Sequence, residues 1–228
     1  MRWRRSRTAD PAVIAQAASV CLSYPDDDTL ALVPLLDAAL AEQPATDQSV
    51  APLRSFVTHL RDTDPMTLRQ HYIEIFDLSR RHTLYLSYWS AGDTRRRGSV
   101  LSEFKQRYRD SGLLVDLRGE LPDHLPIVLE FTARDRYAGT QLLVEHRRAL
   151  ELLRLALEER QTPYADVIGA VCATLPGVSP TERDAVMAMR DASAPVETVG
   201  LAPFDPRLLP LTPTAVGTQP MSRSQANQ

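Results

Sequence analysis

Cysteine occurs only twice in 228 residues, at Cys21 and Cys172, far apart and without Cys-x-x-Cys spacing. That excludes a disulfide framework and a zinc knuckle. Both cysteines sit in apolar helical contexts, where a free thiol behaves as a small core residue, and a reducing cytosol suits them. Lys105 is the single lysine and follows Glu103-Phe104 rather than a glycine-rich stretch, so a phosphate-binding P-loop is excluded. Gly-x-Gly-x-x-Gly and Gly-x-Ser-x-Gly are also missing, which removes the usual supports for dinucleotide binding and for a nucleophile-elbow hydrolase. No apolar run approaches the roughly 20 residues that cross a bilayer. Arg4-Arg5 imitates an export signal, but Asp10 and Pro11 interrupt its apolar core and no small-residue cleavage site follows. A frayed basic N-terminus on a soluble cytoplasmic protein, without stable membrane association, is the expectation. Concentrated positive charge is lacking as well: 26 basic residues are scattered among 29 acidic ones, for a net charge of −3. Nucleic acid is therefore not an expected partner.

What is present is ordinary globular material, 43% hydrophobic and 24% charged. A chain this long buries roughly 70% of its unfolded surface and needs no staple. The periodicity is helical almost throughout, and no period-two run bounded by hairpin turns marks a strand. Asp10-Pro11 and Asp64-Pro65 each pair a capping carboxylate with a proline at the first helical position. Apolar stripes predict helices over 10–23, 29–43 (with Pro34 kinking it or starting it), 50–60, 65–76, 93–111, 127–137, 142–157, 163–175 and 180–191. Gly139 reads as a breaker, and residues 77–92 read as an irregular aromatic connection. The expected fold is all-α: a single helical-bundle-like domain of about eight to nine helices at 10–192. It would follow a flexible basic N-terminus at 1–9 and precede a disordered, proline-rich tail at 193–228, which carries too little apolar surface to offset its ordering entropy.

Catalytic and metal chemistry find little support. A di-iron site in a helical bundle needs Glu-x-x-His on two helices. None of His59, His71, His82, His124 and His146 has a glutamate three residues before it, and His71-Tyr72-Ile73-Glu74 reverses that order once. No catalytic, metal or cofactor residues are therefore assigned. Two constellations remain. Tyr72, Phe76, Tyr85, Tyr88 and Trp89 form an aromatic belt, whose polar-tipped rings suit a surface that is wet before binding and dry after it, or else pack as core between helices. Glu120-Leu121-Pro122-Asp123-His124-Leu125-Pro126, with Glu130 and Phe131, fixes a helix entrance with two prolines. Its acids meet no lysine or arginine between 119 and 133, and would attract a basic amphipathic peptide, or Asp123 caps the helix. His124 is either structural or a proton-linked trigger for release. Arg95-Arg96-Arg97 opens a helix at the end that disfavours cations, as a solvated turn or as a contact with a partner.

These residues carry a resemblance. LSYPDD at 22–27, HYIEIFDLSRRHTLYLSYW at 71–89, GDTRRRG at 92–98 and ELPDHLPIVLEF at 120–131 resemble the nitrate reductase molybdenum cofactor assembly chaperones of the NarJ/NarW type. These form a branch of the TorD-like redox-enzyme maturation chaperones, and the likeness spans about 10–190. It implies an all-helical chaperone without catalysis of its own. Such a protein would bind the apo catalytic subunit of respiratory nitrate reductase, including its N-terminal segment, in the cytoplasm. It would keep that subunit competent for molybdenum cofactor insertion and delay membrane docking. The belt would supply a groove for the client's apolar face, and Glu120, Asp123 and Glu130 would set its register. Pro122, His124 and Phe131 complete the expected client-binding set. The competing readings are a sister chaperone for a dimethyl sulfoxide reductase or formate dehydrogenase, a helical metal enzyme, and a subunit retained in the mature complex.

Overall fold

A computed structural model describes residues 8–91 and 96–189. The readings for the N-terminus before Thr8, for Arg95 and for the tail at 193–228 lie outside these residues. Ala9, assigned from sequence to a flexible end, is instead buried, and its amide donates to Asp47 at 2.9 Å.

The first helix, α1 (Pro11–Cys21), starts as its sequence predicts, with the Asp10 carboxylate accepting from the Ala12 amide at 3.0 Å. The 29–43 segment is two helices, α2 (Asp27–Ala31) and α3 (Val33–Ala41). Pro34 lacks the amide a continuous helix would need, so it sits in the first turn of α3. Then follow α4 (Val50–Asp62) and α5 (Pro65–Tyr72), the latter capped by Asp64 through the Met66 and Thr67 amides at 3.1 Å. A π-turn at Ile73–Asp77 extends α5, and a 3₁₀ turn at Arg80–His82 leads into α6 (Leu86–Ala91). The connection read as irregular is thus largely helical.

Farther on are α7 (Arg96–Asp110), α8 (Leu125–Arg134), α9 (Arg136–Glu145), α10 (Arg147–Glu159), α11 (Tyr164–Ala173) and α12 (Arg183–Met187). The break after α8 falls at Asp135, which caps α9 through the Ala138 amide at 3.0 Å. Gly139 lies inside α9, where a Cβ would stand 2.3 Å from the Thr132 Cα. Its role is close packing between α8 and α9 rather than termination. The stripe expected over 142–157 is likewise divided at His146, the C-cap of α9 and N-cap of α10.

The fold is all-α, and the one β-type pairing among the described residues is an isolated bridge between Tyr85 and His124. α1 packs along α8 and touches α4 and α11, while α10 is enclosed by α6, α9, α11 and α12. Leu53, Phe56, Leu125, Leu129, Leu150, Leu157 and Ile168 fill the centre. Both cysteines are buried free thiols in this core, and burial pushes the Cys21 thiol up to about 12.

α10 also buries charge. Glu151 is fully inaccessible and lies between Arg147 (3.3 Å) and Arg154 (2.8 Å). Its Oε1 accepts from Ser179 Oγ at 2.7 Å, Arg147 donates to the Gly177 carbonyl at 3.3 Å, and Arg154 donates to the Pro180 carbonyl. This knot ties the α11–α12 connection to the central helix.

Candidate functional site

The two sequence strings singled out above, 71–89 and 120–131, are knitted together. The chain around Leu84–Leu86 runs antiparallel to Asp123–Leu125, with Leu125 N donating to Leu84 O at 2.8 Å and Leu86 N to Asp123 O at 3.1 Å. The Asp123 carboxylate does not cap α8; His124 occupies that N-cap without a side-chain bond. Asp123 instead accepts the Ser87 amide at 2.9 Å and the Ser87 hydroxyl at 2.6 Å, so it caps α6 from 36 residues away. Asp123 and Ser87 are both fully buried. Arg97 Nε donates to the Ser87 hydroxyl at 3.1 Å, and its guanidinium lies 5.8 Å from the centre of the Tyr85 ring.

Around this anchor the expected residues separate into inner and outer sets. Tyr72 is core: its hydroxyl donates to the Leu22 carbonyl at 3.2 Å, and its ring meets Tyr24, Phe76 and Tyr164. Burial drives its phenol upward. Phe131 is 2% exposed and packs 4.8 Å from Tyr108, whose hydroxyl donates to the carbonyl of buried Pro122 at 2.6 Å. Phe76 is half-buried against Tyr164. Tyr85, Tyr88, Trp89 and His124 are half-buried too, and Trp89 Nε1 donates to the Thr83 carbonyl at 3.1 Å. Exposed Glu120 accepts from the Tyr85 hydroxyl, and the Tyr85 and His124 rings lie 5.2 Å apart. The Tyr85 phenol is raised, first by burial and then by the Glu120 bond. Glu130 is not the unpaired acid its local sequence implied. Arg118 at 3.0 Å and Arg134 at 3.3 Å, both just outside the window read from sequence, neutralise it.

Sequence reasoning missed Ser87 and Tyr108, which hold Asp123 and Pro122 in place. No spacing rule links positions 36 residues apart. It also missed an exposed apolar face beside the belt. Ile75 turns inward across the π-turn, whereas Ile73 and Leu78 turn out. With Tyr24 and Met66 they border a concavity of about 610 Å³, flanked by Arg69 and Glu74. Leu78 is 78% exposed and Met66 68%. Contiguous exposed apolar surface of this kind marks interaction sites, and π-turns recur at functional positions.

Among the described residues, no group of three or more His, Cys, Asp or Glu is placed to hold a metal, and no helix is long and apolar enough to cross a membrane.

Comparison with known proteins places the chain. Residues 40–169 match the family model described as nitrate reductase delta subunit. The chain belongs to that family. Relatives include the Bacillus subtilis protein described as a probable nitrate reductase molybdenum cofactor assembly chaperone NarJ, 30% identical over 77% of this chain and 95% of that protein. The Escherichia coli K12 chaperone NarJ is 30% identical over 58% of this chain and 56% of its own length. The Mycobacterium tuberculosis nitrate reductase-like protein NarX is 44% identical over 71% of this chain, which spans only 24% of NarX. The solved structure of a redox enzyme maturation protein from Archaeoglobus fulgidus shares the fold, with a TM-score of 0.55 at 23% identity over 76% of this chain and 98% of that one. The two strings knitted at Asp123 both lie inside the family match.

Three histidines in this delta-family fold give a pH prediction. Burial lowers His59, His71 and His124 below the usual imidazole value of 6.5; the His59 charge adds to the effect at His71, and Glu120 and Asp123 oppose it at His124. The unfolded chain therefore binds more protons once pH falls below about 6.5. The stability these neutral imidazoles contribute is complete above that pH and declines as pH drops through it. Melting temperature should fall between pH 7.5 and 5.5, less steeply in His124→Gln. A flat profile would remove the contribution.

Proposed function

We propose that the protein is a cytoplasmic chaperone that binds the apo catalytic subunit of respiratory nitrate reductase, including its N-terminal segment. It keeps that subunit competent for molybdenum cofactor insertion before membrane docking and performs no catalysis. The observation that carries this reading is the match over 95% of the Bacillus subtilis assembly chaperone, a relative described by that role. The client's apolar side chains seat on Tyr24, Met66, Ile73 and Leu78 and reach half-buried Phe76, Tyr85 and Tyr88. Glu120 and His124 meet its polar and basic groups. Tyr72, Pro122, Asp123 and Phe131 support this surface from beneath, and Glu130 serves through its arginine pairs. Apolar anchors dominate affinity, because exposed ion pairs contribute only about 0–1 kcal/mol each.

A second reading is favoured by the NarX match, in which this chain corresponds to a quarter of a longer nitrate reductase-like protein: a module that stays with the enzyme. Affinity isolation from cells separates the two. The chaperone reading expects cofactor-free catalytic subunit in the soluble fraction and none of this chain in the mature membrane enzyme. Stoichiometric chain in the mature enzyme would contradict it.

A further inference from the structure

A groove of about 790 Å³ shares Tyr88 and Trp89 with the belt but none of the lining of the exposed apolar face. Its floor is one stripe of α10, where Leu152 and Ala156 lie between Arg148 and Arg160. Tyr88 and Trp89 of α6 form one wall, with Arg80 and Arg81 of the 3₁₀ turn at its lip. Arg183 and Met187 of α12 line the groove as well, and Arg148 donates to Met187 Sδ at 3.3 Å. The groove thus presents five guanidiniums, with Glu159 as its one lining carboxylate. Arg160 is paired with Glu74, but no carboxylate lies within ion-pair distance of Arg80, Arg81 or Arg183 among the described residues. In a protein of net charge −3 this is a local inversion of sign.

We propose that this groove binds a short acidic peptide segment carrying apolar or aromatic side chains, at a site that meets the client surface proposed above only at Tyr88. Charge complementarity selects an anion, and the apolar floor and aromatic wall select one with side chains to bury. The charges are strung along the groove rather than gathered at one point. Arg148 on α10 and Arg160 at its C-cap are twelve residues apart, about 18 Å at 1.5 Å per residue. An extended peptide covers that distance with about six residues. A phosphate group, by contrast, calls for converging donors and a backbone cradle, and nucleic acid for a chain richer in positive charge. Guanidinium forks hold carboxylates in bidentate pairs while the rings cover the side chains between them.

The test is fluorescence anisotropy of the full chain with a labelled octapeptide alternating Glu or Asp with Leu or Phe. Saturable binding is expected, weakening as salt rises. It should weaken at least tenfold in Arg80→Glu/Arg81→Glu and in Arg183→Glu, exposed positions whose substitution leaves the circular dichroism unchanged. The same peptide with lysine at the acidic positions should not bind. Equal binding of the lysine peptide, unchanged affinity in the folded variants, or no binding to wild type would overturn the proposal. So would displacement of the peptide by an oligothymidylate or ATP at a tenfold lower concentration, which would reassign the groove to nucleic acid or nucleotide.

Discussion

Glu151→Ala is expected to lower the free energy of unfolding by about 3–5 kcal/mol, the largest effect of any single substitution considered for this fold. Glu151 is fully buried between two arginines that are themselves almost inaccessible. Removing the carboxylate leaves Arg147 and Arg154 charged in the interior, and their remaining acceptors are the Gly177 and Pro180 carbonyls plus half-exposed Glu158. The damage comes from stranded charge rather than from the lost attraction, so the control is informative. Glu151→Gln keeps an acceptor for Ser179 but not the compensating charge, and should fall between wild type and Ala. Urea denaturation gives the magnitude. Amide exchange should show the 174–182 connection opening first, because the knot fastens it. A loss under 1 kcal/mol in Glu151→Ala would mean the arginines find other partners.

Asp123→Ala is expected to cost about 2–4 kcal/mol, from two buried donors each left unsatisfied at about 1–2 kcal/mol, the lower part of the usual cost. The Ser87 amide and hydroxyl both lose their acceptor inside a site with no room for bulk water. Asp123→Asn retains one carbonyl acceptor and should cost less. The position also separates two meanings of the Glu-x-Pro-Asp-His string. As a buried anchor, Asp123 governs melting temperature. As a direct client contact, it would govern association rate and salt dependence. The second behaviour is expected at Glu120, which is exposed: Glu120→Lys should leave the melting temperature within a degree or two and flatten the salt dependence of client association. An Asp123→Asn protein of native stability that had lost that salt dependence would reverse the assignment.

Local rules read well where local chemistry decides. Asp10-Pro11 and Asp64-Pro65 start helices because cap and proline act within four residues. They read less well where a distant group decides. α6 stood hidden in an aromatic stretch because its capping carboxylate comes from Asp123. Gly139 suggested a break because glycine's low helix propensity is visible in sequence, while the 2.3 Å demand set by Thr132 is not. The pairing of Glu130 with Arg118 and Arg134 fell just beyond the stretch inspected. The aromatic belt shows the same limit at the site. The spacing of Tyr72 and Phe76 puts them on one helical stripe, but not on which side of the helix the core lies. Ile73 and Leu78 lie off that stripe and are exposed at the π-turn, and their spacing does not say that Tyr24 and Met66 join them in one concavity. Family resemblance pointed to 71–89 and 120–131, and the structure separates the residues of these segments into a buried set and an exposed one.

The most direct measurement is calorimetric titration of the full chain with the N-terminal peptide of its own organism's nitrate reductase catalytic subunit, in wild type and in Ile73→Asp/Leu78→Asp. Both substituted side chains are exposed, so the variant should stay folded, unlike one that truncates buried Tyr72. The chaperone account predicts saturable binding near one to one in wild type, weakened at least tenfold in the variant. Absence of binding by folded wild-type protein, or undiminished affinity in the variant, would contradict it.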